Sequence, residues 1–204
     1  MWPSACSLWT NRLRRVKPAL LSLWLLTGCV SPGPVAMRHP DYRPAAIRRP
    51  AVTLQVRLDQ MERASIPEQF EAGLIDALNT QGIFPLDVAL TASKTLDRPQ
   101  ALARARSLRA DVLLLVEMRL GRADVVYCRE TRRPFAARST LVAVTLEVLR
   151  VSDGTRLLLE PAATGEPLTD IEAECGRERS IRRLSMEELA GAGISRALTL
   201  LLRR

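Results

Sequence analysis

Four cysteines and a single histidine are the residues of this 204-residue chain that most readily act as nucleophiles, bases or metal ligands. A Ser-His-Asp site needs a histidine as its base, but His39 lies in a proline-rich segment outside any patterned element. An H-E-x-x-H zinc site needs two histidines and is therefore excluded. The chain also lacks the G-x-S-x-G, G-x-x-x-x-G-K and G-x-G-x-x-G motifs of acyl transfer and phosphate binding.

Paired acids are the remaining candidates for acid–base chemistry. They are Glu68 with Glu71, Glu172 with Glu174, and Glu187 with Glu188. Each pair lies at a predicted helix start or in a loop, where negative charge favours the helix dipole or solubility. We therefore predict a protein that is not an enzyme and has no cofactor and no metal site. A hydrolase stays open only if acids converge in a pocket.

Cys29 ends an N-terminal pattern of three parts. A basic stretch, 12–17, precedes the apolar run 19–26, and the tetrapeptide 26–29 reads L-T-G-C. The apolar run is too short to span a bilayer, which takes about 20 residues, but it suits a signal peptide. The tetrapeptide resembles the bacterial lipobox. In that family the cysteine thiol is alkylated by diacylglycerol, the chain is cut before it, and the new amine is acylated.

The resemblance to a lipobox implies a lipoprotein whose signal peptide, residues 1–28, is removed. Diacylglycerol and a palmitate-like chain on Cys29 would anchor it stably, because two or three acyl chains hold a protein where one does not. Val30, in place of aspartate, resembles sorted Gram-negative lipoproteins and indicates the outer membrane, with the domain facing the periplasm. The alternative is an ordinary signal peptide, or a buried helix, with a chance cysteine.

Composition and charge fit a globular protein without a nucleic-acid partner. Hydrophobic residues make up 47% of the chain and charged residues 25%. Half of the net charge of +8 lies in residues 1–28, which would be removed. The remaining charge gives little support to a nucleic-acid surface.

Removal of Cys6 and acylation of Cys29 would leave two thiols, those of Cys128 and Cys175. In the oxidising periplasm they most economically form one disulfide. Two free buried thiols, or a redox or metal pair, are the alternatives. The lack of a C-x-x-C motif and of a nearby histidine disfavours the redox or metal pair.

Arginines are concentrated after each of these cysteines. The first cluster contains Arg129, Arg132, Arg133 and Arg138, and the second contains Arg177, Arg179, Arg182 and Arg183. A disulfide would bring the clusters together, and the combined surface could hold a polysaccharide, lipid headgroups or an acidic protein face. The alternative is a solvated loop neutralised by its neighbours, Glu130, Glu172, Glu174 and Glu178. Tyr127 and Phe135 are candidate partner contacts, or caps of the core.

The elements that would position these residues follow the anchor. Residues 29–50 are rich in proline and have no hydrophobic period, which predicts a tether reaching roughly 60 Å at about 3.1 Å per residue. Residues 51–204 predict a single α/β domain of three layers, a mixed sheet with helices packed on it in the order β-α-β-α-β-β-β-α. Strands are predicted at 51–58, 83–88, 112–116, 139–151 and 155–160, and helices begin at 65–68, 97–100 and 185–188. Gly191 and Gly193 in the last helix predict close packing on the sheet.

This order resembles the TolB N-terminal-like fold of periplasmic lipoproteins, the group that includes CsgG, LpoB and PelC. The residues that carry the resemblance are Phe70-x3-Leu74-x2-Ala77-Leu78 with Gly82-Ile83-Phe84, then A-R-x3-L-R-A-D-V-L-L at 103–114, and Leu146-x-Val148-x2-Val151-x2-Gly154. Together they cover 51–160 and the final helix. The sequence departs from the group at 151–154, and it lacks room for the two long pore-forming hairpins of CsgG.

The resemblance implies an outer-membrane lipoprotein that acts as a binding or assembly component of an envelope machine for export, secretion or cell-wall synthesis. Members of the group act through strand edges and helix faces, and rings occur among them, so a homo-oligomer and a monomer both stay open. The alternative function is a periplasmic accessory lipoprotein that binds an anionic or carbohydrate ligand. An exposed apolar or basic patch would favour the assembly role, and a closed pocket would favour the ligand-binding role.

Overall fold

The predicted order of strands and helices is present in the computed structural model, which describes residues 35–58, 66–91, 96–161, 168–175 and 179–203. Its strands are β1 (Met37–Arg38), β2 (Ala51–Leu58), β3 (Asp87–Thr91), β4 (Val112–Tyr127), β5 (Pro134–Arg150), β6 (Arg156–Glu160), β7 (Leu168–Thr169), β8 (Ile171–Cys175) and β9 (Arg179–Arg183). Its helices are α1 (Ile66–Thr80), α2 (Arg98–Ser107) and α3 (Met186–Leu202). All of the described residues belong to one compact unit.

Seven strands form one mixed sheet in the order β1-β6-β5-β4-β2-β3, with β7 paired to β5. β2 runs parallel to both β3 and β4, whereas β4, β5 and β6 are joined in antiparallel pairs. The first six residues of β2 are buried because the strand is flanked on both sides. β3 lies at the edge of the sheet, and Pro85, which the sequence placed inside a strand at 83–88 as a sign of an edge, comes two residues before it.

The helices cover the two faces of the sheet unequally. α1 and α3 pack on one face, where Phe70, Leu74 and Leu78 form the buried stripe of α1. α2 lies on the other face, and its Ala101 and Ala105 are in a smaller cluster with residues of β4 and β5. The domain is therefore a three-layer α/β structure.

α2 and α3 begin with the capping hydrogen bonds that the sequence predicted. Asp97 accepts a hydrogen bond from the backbone N–H of Gln100 at 3.0 Å, and Ser185 and Glu188 form a reciprocal capping box. α1 ends before Gly82, whose φ of +71° lies in the left-handed region that favours glycine. The capping motif predicted at 65–68 begins outside the described residues.

The two glycines of α3 have different surroundings. A β-carbon on Gly193 would lie 3.2 Å from Cγ1 of Val142, so this glycine allows the close helix–sheet contact that was predicted. A β-carbon on Gly191 would meet nothing within 4 Å, so the same prediction is wrong there.

Three strands have boundaries that differ by more than one residue from the sequence prediction. β3 spans Asp87–Thr91 rather than 83–88. β4 continues to Tyr127, and β5 begins at Pro134, so both are longer than predicted. The added part of β4 alternates between buried and exposed residues, and it therefore lacks the continuous apolar run that marked its first half. The hairpin of β8 and β9 was not predicted.

The second half of the predicted tether packs against the domain. β1 pairs with β6, with Met37 opposite Leu159, and Tyr42 and Ile47 are each only 4% exposed in the main core. The Tyr42 hydroxyl donates a hydrogen bond to the carbonyl of Leu201 at 2.5 Å. The expectation of an extended tether is thus wrong for residues 35–50, because two large side chains among the prolines add to the core. No helix in the described segments is long and apolar enough to cross a membrane.

Candidate functional site

The distal halves of β4 and β5 form a ribbon that extends past the helices. We call this ribbon, residues 121–140, the arm. Leu58 pairs with Leu120, and β7 pairs with β5 at Leu141 and Val142. Within the described strands, the ladder beyond these points is between β4 and β5 alone, with a bulge between Ala123 and Val125. The arm is therefore the part of the sheet that projects furthest from the main core.

The hairpin of β8 and β9, which we call the brace, packs on one face of the arm. Val126 of the arm and Ile171 and Ala173 of the brace form a small buried cluster, with Phe135 half-buried beside them. Of the two roles left open for Phe135, its position fits a cap of this cluster.

The predicted disulfide between Cys128 and Cys175 is present, with an S–S distance of 2.11 Å and a Cα–Cα distance of 5.6 Å. The backbone N–H of Arg129 donates to the carbonyl of Ala173 at 2.9 Å. Glu130 Oε2 accepts from the backbone N–H of Cys175 at 3.0 Å, and this bond holds the pKa of Glu130 below its usual value. The arm tip is thus held to the brace by one covalent link and by hydrogen bonds in both directions.

The opposite face of the arm is apolar and exposed. Val125 and Tyr127 are 45% and 52% exposed. In the strand register Val125 lies opposite Ala136, and Tyr127 lies opposite Pro134. Because paired residues of an antiparallel ladder share a face, these four side chains form one continuous patch, which we call the apolar strip.

The disulfide does not bring all the predicted arginines together. Arg129, Arg132 and Arg133 are exposed around the arm tip, and Arg138 is exposed further down β5. The backbone of Arg179 pairs with Cys175. Arg177 lies outside the described residues.

Arg182 and Arg183 lie at the other end of the brace, since Arg183 pairs with Ile171, about 13 Å from the Cys175 pair at the strand rise. Arg182 forms ion pairs with Glu172 at 3.5 Å and with Glu188. Arg183 lies 3.6 Å from Asp170 and donates to the carbonyl of Arg138 at 3.3 Å. The expectation of one combined basic surface is therefore wrong for Arg182 and Arg183. Their charges are neutralised by the acidic residues beside them.

A buried carboxylate on the second face of the sheet was missed by sequence reasoning. Glu147 of β5 is buried, and its Oε2 and Oε1 atoms accept from Nε of Arg98 at 2.8 Å and from Nε of Arg156 at 2.6 Å. The first residue of α2 is thus joined to the β5–β6 hairpin. Both carboxylate oxygens are occupied by arginines, so the geometry is that of a structural ion pair.

Two open depressions lie at the other end of the domain and meet at Leu202. One, of about 600 Å³, is lined by the outer face of α3 and by Gln81. The other, of about 740 Å³, is lined by Arg38, Tyr42 and Arg43. Burial raises the pKa of Tyr42 to about 12. Within the part of the chain that the structure describes, no group of three His, Cys, Asp or Glu side chains is placed to hold a metal ion.

No protein-family model matches this chain, and no curated protein sequence does. The solved structures similar to it include the PelC dodecamer from Paraburkholderia phytofirmans, 18% identical over 83% of this chain and 96% of that chain, with a TM-score of 0.41. Another is lipoprotein GNA1162 from Neisseria meningitidis, 13% identical over 76% of this chain and 100% of that chain, with a TM-score of 0.39. Membership of the TolB-like group remains a prediction.

Proposed function

We propose that this protein is a non-enzymatic lipoprotein of the outer membrane, anchored through Cys29, whose arm binds a protein component of an envelope machine. Cys29 and the signal peptide lie outside the described residues, so the anchor rests on the lipobox resemblance. The observation that carries the binding role is the apolar strip, which leaves Val125 and Tyr127 about half exposed on a braced ribbon.

An exposed strip of this kind suits a protein partner. Tyrosine provides a large amphipathic contact surface and is enriched at the energetic centres of interfaces. The strip lies on one face of the arm. The disulfide and the buried cluster on the other face hold the arm in place. A site that is rigid before binding loses less conformational entropy when the partner arrives.

The arginines around the arm tip provide a charged rim to the strip. Arg129 and Arg133 are exposed beside it, and rim charges chiefly affect the rate and specificity of association. The preferred partner surface is therefore apolar at its centre and acidic at its edge.

The open form of the two depressions favours this role over a ligand-binding accessory role. A small ligand is usually held in a cavity that encloses most of its surface. Among the described residues, the two depressions are open to solvent. The PelC structures are dodecamers, and self-association of the present chain through the strip is a proposal that the same experiment tests.

The experiment compares two variants, Tyr127→Ser in the strip and Phe84→Ser as a matched control. Phe84 is 58% exposed and precedes β3 at the end of the sheet away from the arm, so both variants remove an exposed aromatic ring. Tagged full-length protein is purified from native envelopes, and the proteins that copurify are quantified by mass spectrometry.

We expect Tyr127→Ser to lose one envelope component, or its own untagged copies, whereas Phe84→Ser retains them. Equal recovery of every protein by wild type and Tyr127→Ser would contradict the proposal. Circular dichroism spectra should be unchanged, since substitutions at exposed sites alter stability little.

A further inference from the structure

The end of the domain opposite the arm carries a second exposed surface. Ala51 pairs with Leu113 at this end, whereas Leu58 pairs with Leu120 towards the arm. α3 runs in the opposite direction to β2, from its capping box near the brace to Leu201 at this end, where the carbonyl of Leu201 accepts a hydrogen bond from Tyr42. β4 has 16 residues, so the arm tip lies about 50 Å from this end at the rise of a strand. We call Arg38, Arg43, Ala45, Arg48 and Leu202 the basal surface.

The basal surface has more positive charge than its neighbours neutralise. Residues 35–50 contain more arginines than acids, and their one acid is Asp41. Nη1 of Arg43 donates only to carbonyls, those of Pro40 at 2.5 Å and Tyr42 at 3.1 Å. Among the described residues, neither Arg43 nor Arg48 forms an ion pair with an acid. The Oδ2 atom of Asp41 instead lies 2.8 Å from Nη2 of Arg150 and 3.6 Å from Nδ1 of His39.

The arginines stand around the ends of two helices. Nη1 of Arg48 lies beside Gly82 after α1, 3.5 Å from where a β-carbon on that glycine would be. Arg38 lies over the Tyr42 ring, 5.1 Å from its centroid, and donates to the carbonyl of Arg203. Arg38 thus offsets the partial negative charge at the end of α3, and Arg48 does the same at the end of α1. Arg43 and Arg48 are both exposed, and neither pairs with an acid of the described residues, so their guanidinium groups can also bind an anion from solution.

The basal surface also has an apolar element between its charges. Leu202 is half-buried where the two depressions meet, and Leu198 lines one of them. Guanidinium groups around partly exposed leucines match a bilayer interface, where phosphates lie above the acyl chains.

The chain length to the anchor limits how far this surface can be from the membrane. Val35 is six residues after Cys29, so even an extended chain spans only about 20 Å between them. Because residues 35–50 are packed on the domain, the longer reach expected from a 22-residue tether is not available. This step rests on the anchor in the proposed function.

We propose that the basal surface binds the phosphate groups of anionic phospholipids in the membrane to which the chain is anchored. Arginine pairs with phosphate through two parallel N–H donors. Each arginine near an anionic membrane favours the docked orientation about fivefold. Docking through this end directs the arm away from the membrane, which places the apolar strip where a periplasmic partner can reach it.

The test uses tryptophan fluorescence, because all three tryptophans precede Cys29 and the mature chain has none. Mature lipidated protein, which begins at Cys29, carries the single substitution Ala45→Trp to report on the basal surface, and Ile181→Trp on the brace is the control. Each is reconstituted into vesicles with brominated acyl chains, made either of phosphatidylcholine or of equal parts phosphatidylcholine and phosphatidylglycerol. Flotation and intact-chain mass report on the anchor independently.

We expect bromine quenching of Ala45→Trp in the vesicles that contain phosphatidylglycerol, and none of Ile181→Trp. Adding Arg43→Glu and Arg48→Glu should reduce the quenching of Ala45→Trp more than tenfold, whereas Arg129→Glu with Arg133→Glu should not change it. The Ala45→Trp protein could be acylated and float but show no quenching, or equal quenching without phosphatidylglycerol. That result would overturn the binding of anionic phospholipid by the basal surface and leave the anchor intact. Protein that carries no acyl chains and does not float would overturn the anchor as well.

Discussion

Loss of the disulfide should lower the free energy of unfolding of the whole domain. Cys128 and Cys175 are 47 residues apart, and the loop between them contains all of β5 and β6. In the chain-entropy model, opening a loop of this length costs about 4 kcal/mol, which is an upper figure because the open chain retains some structure. For a domain of this size, that corresponds to a fall in Tm of roughly 10 °C.

The variant for this prediction is Cys128→Ser with Cys175→Ser in the full-length protein. Urea unfolding, followed by circular dichroism, gives the free energy of unfolding of the variant and of wild type. Adding a thiol reductant is the matched control, because it should bring wild type to the level of the variant and leave the variant unchanged. A difference below about 1 kcal/mol between wild type and variant would refute the reasoning, since the packing of Ile171 and Ala173 would then hold the brace without the covalent link.

Three further predictions concern the domain and its charges. Gly191→Ala should raise the free energy of unfolding by about 0.5–1 kcal/mol, whereas Gly193→Ala should lower it because the added methyl group meets Val142; equal effects in urea unfolding would contradict the packing. Glu147→Ala should lower the free energy of unfolding by about 2 kcal/mol, because two charge-assisted hydrogen bonds are lost. An unchanged urea midpoint would show that the ion pairs of Glu147 contribute nothing to stability. The capping bond from Ser185 lowers the pKa of Glu188 below 4.5, so this group stabilises the fold above that pH and the contribution is lost as pH falls through the lowered value. Thermal unfolding of Glu188→Gln should therefore depend less steeply on pH below 4.5 than wild type does, and parallel curves would reject this.

Features that depend on neighbours in the chain could be predicted from the sequence. Asp97 bonds the N–H of Gln100, and Ser185 bonds that of Glu188, each three residues away. The buried stripe of α1 follows from the helical period. The disulfide was predicted from the two thiols that would remain if the chain is processed and acylated at Cys29 and exported to an oxidising compartment.

Features that depend on distant residues could not be predicted. Glu147 alternates with leucine and valine like a solvent-facing residue, yet its partner Arg98 lies 49 positions away. Tyr42 resembles part of a proline-rich tether, and only the end of α3 provides its hydrogen-bond acceptor. The arm has a bulge and one covered face, so its alternation is too irregular to mark a strand. The separation of Arg182 from Cys175 follows from the register of the brace, which no local pattern encodes.

Site-specific photo-cross-linking in the native envelope tests most directly whether the arm is the binding site. A photoreactive amino acid replaces Tyr127 in the apolar strip, and in a control chain it replaces Asn79, which is exposed at the end of α1 away from the arm. We predict that position 127 captures one envelope protein or a second copy of this chain, and that position 79 captures neither. Equal capture from both positions, or capture from position 79 alone, would contradict the assignment of the arm as the binding site.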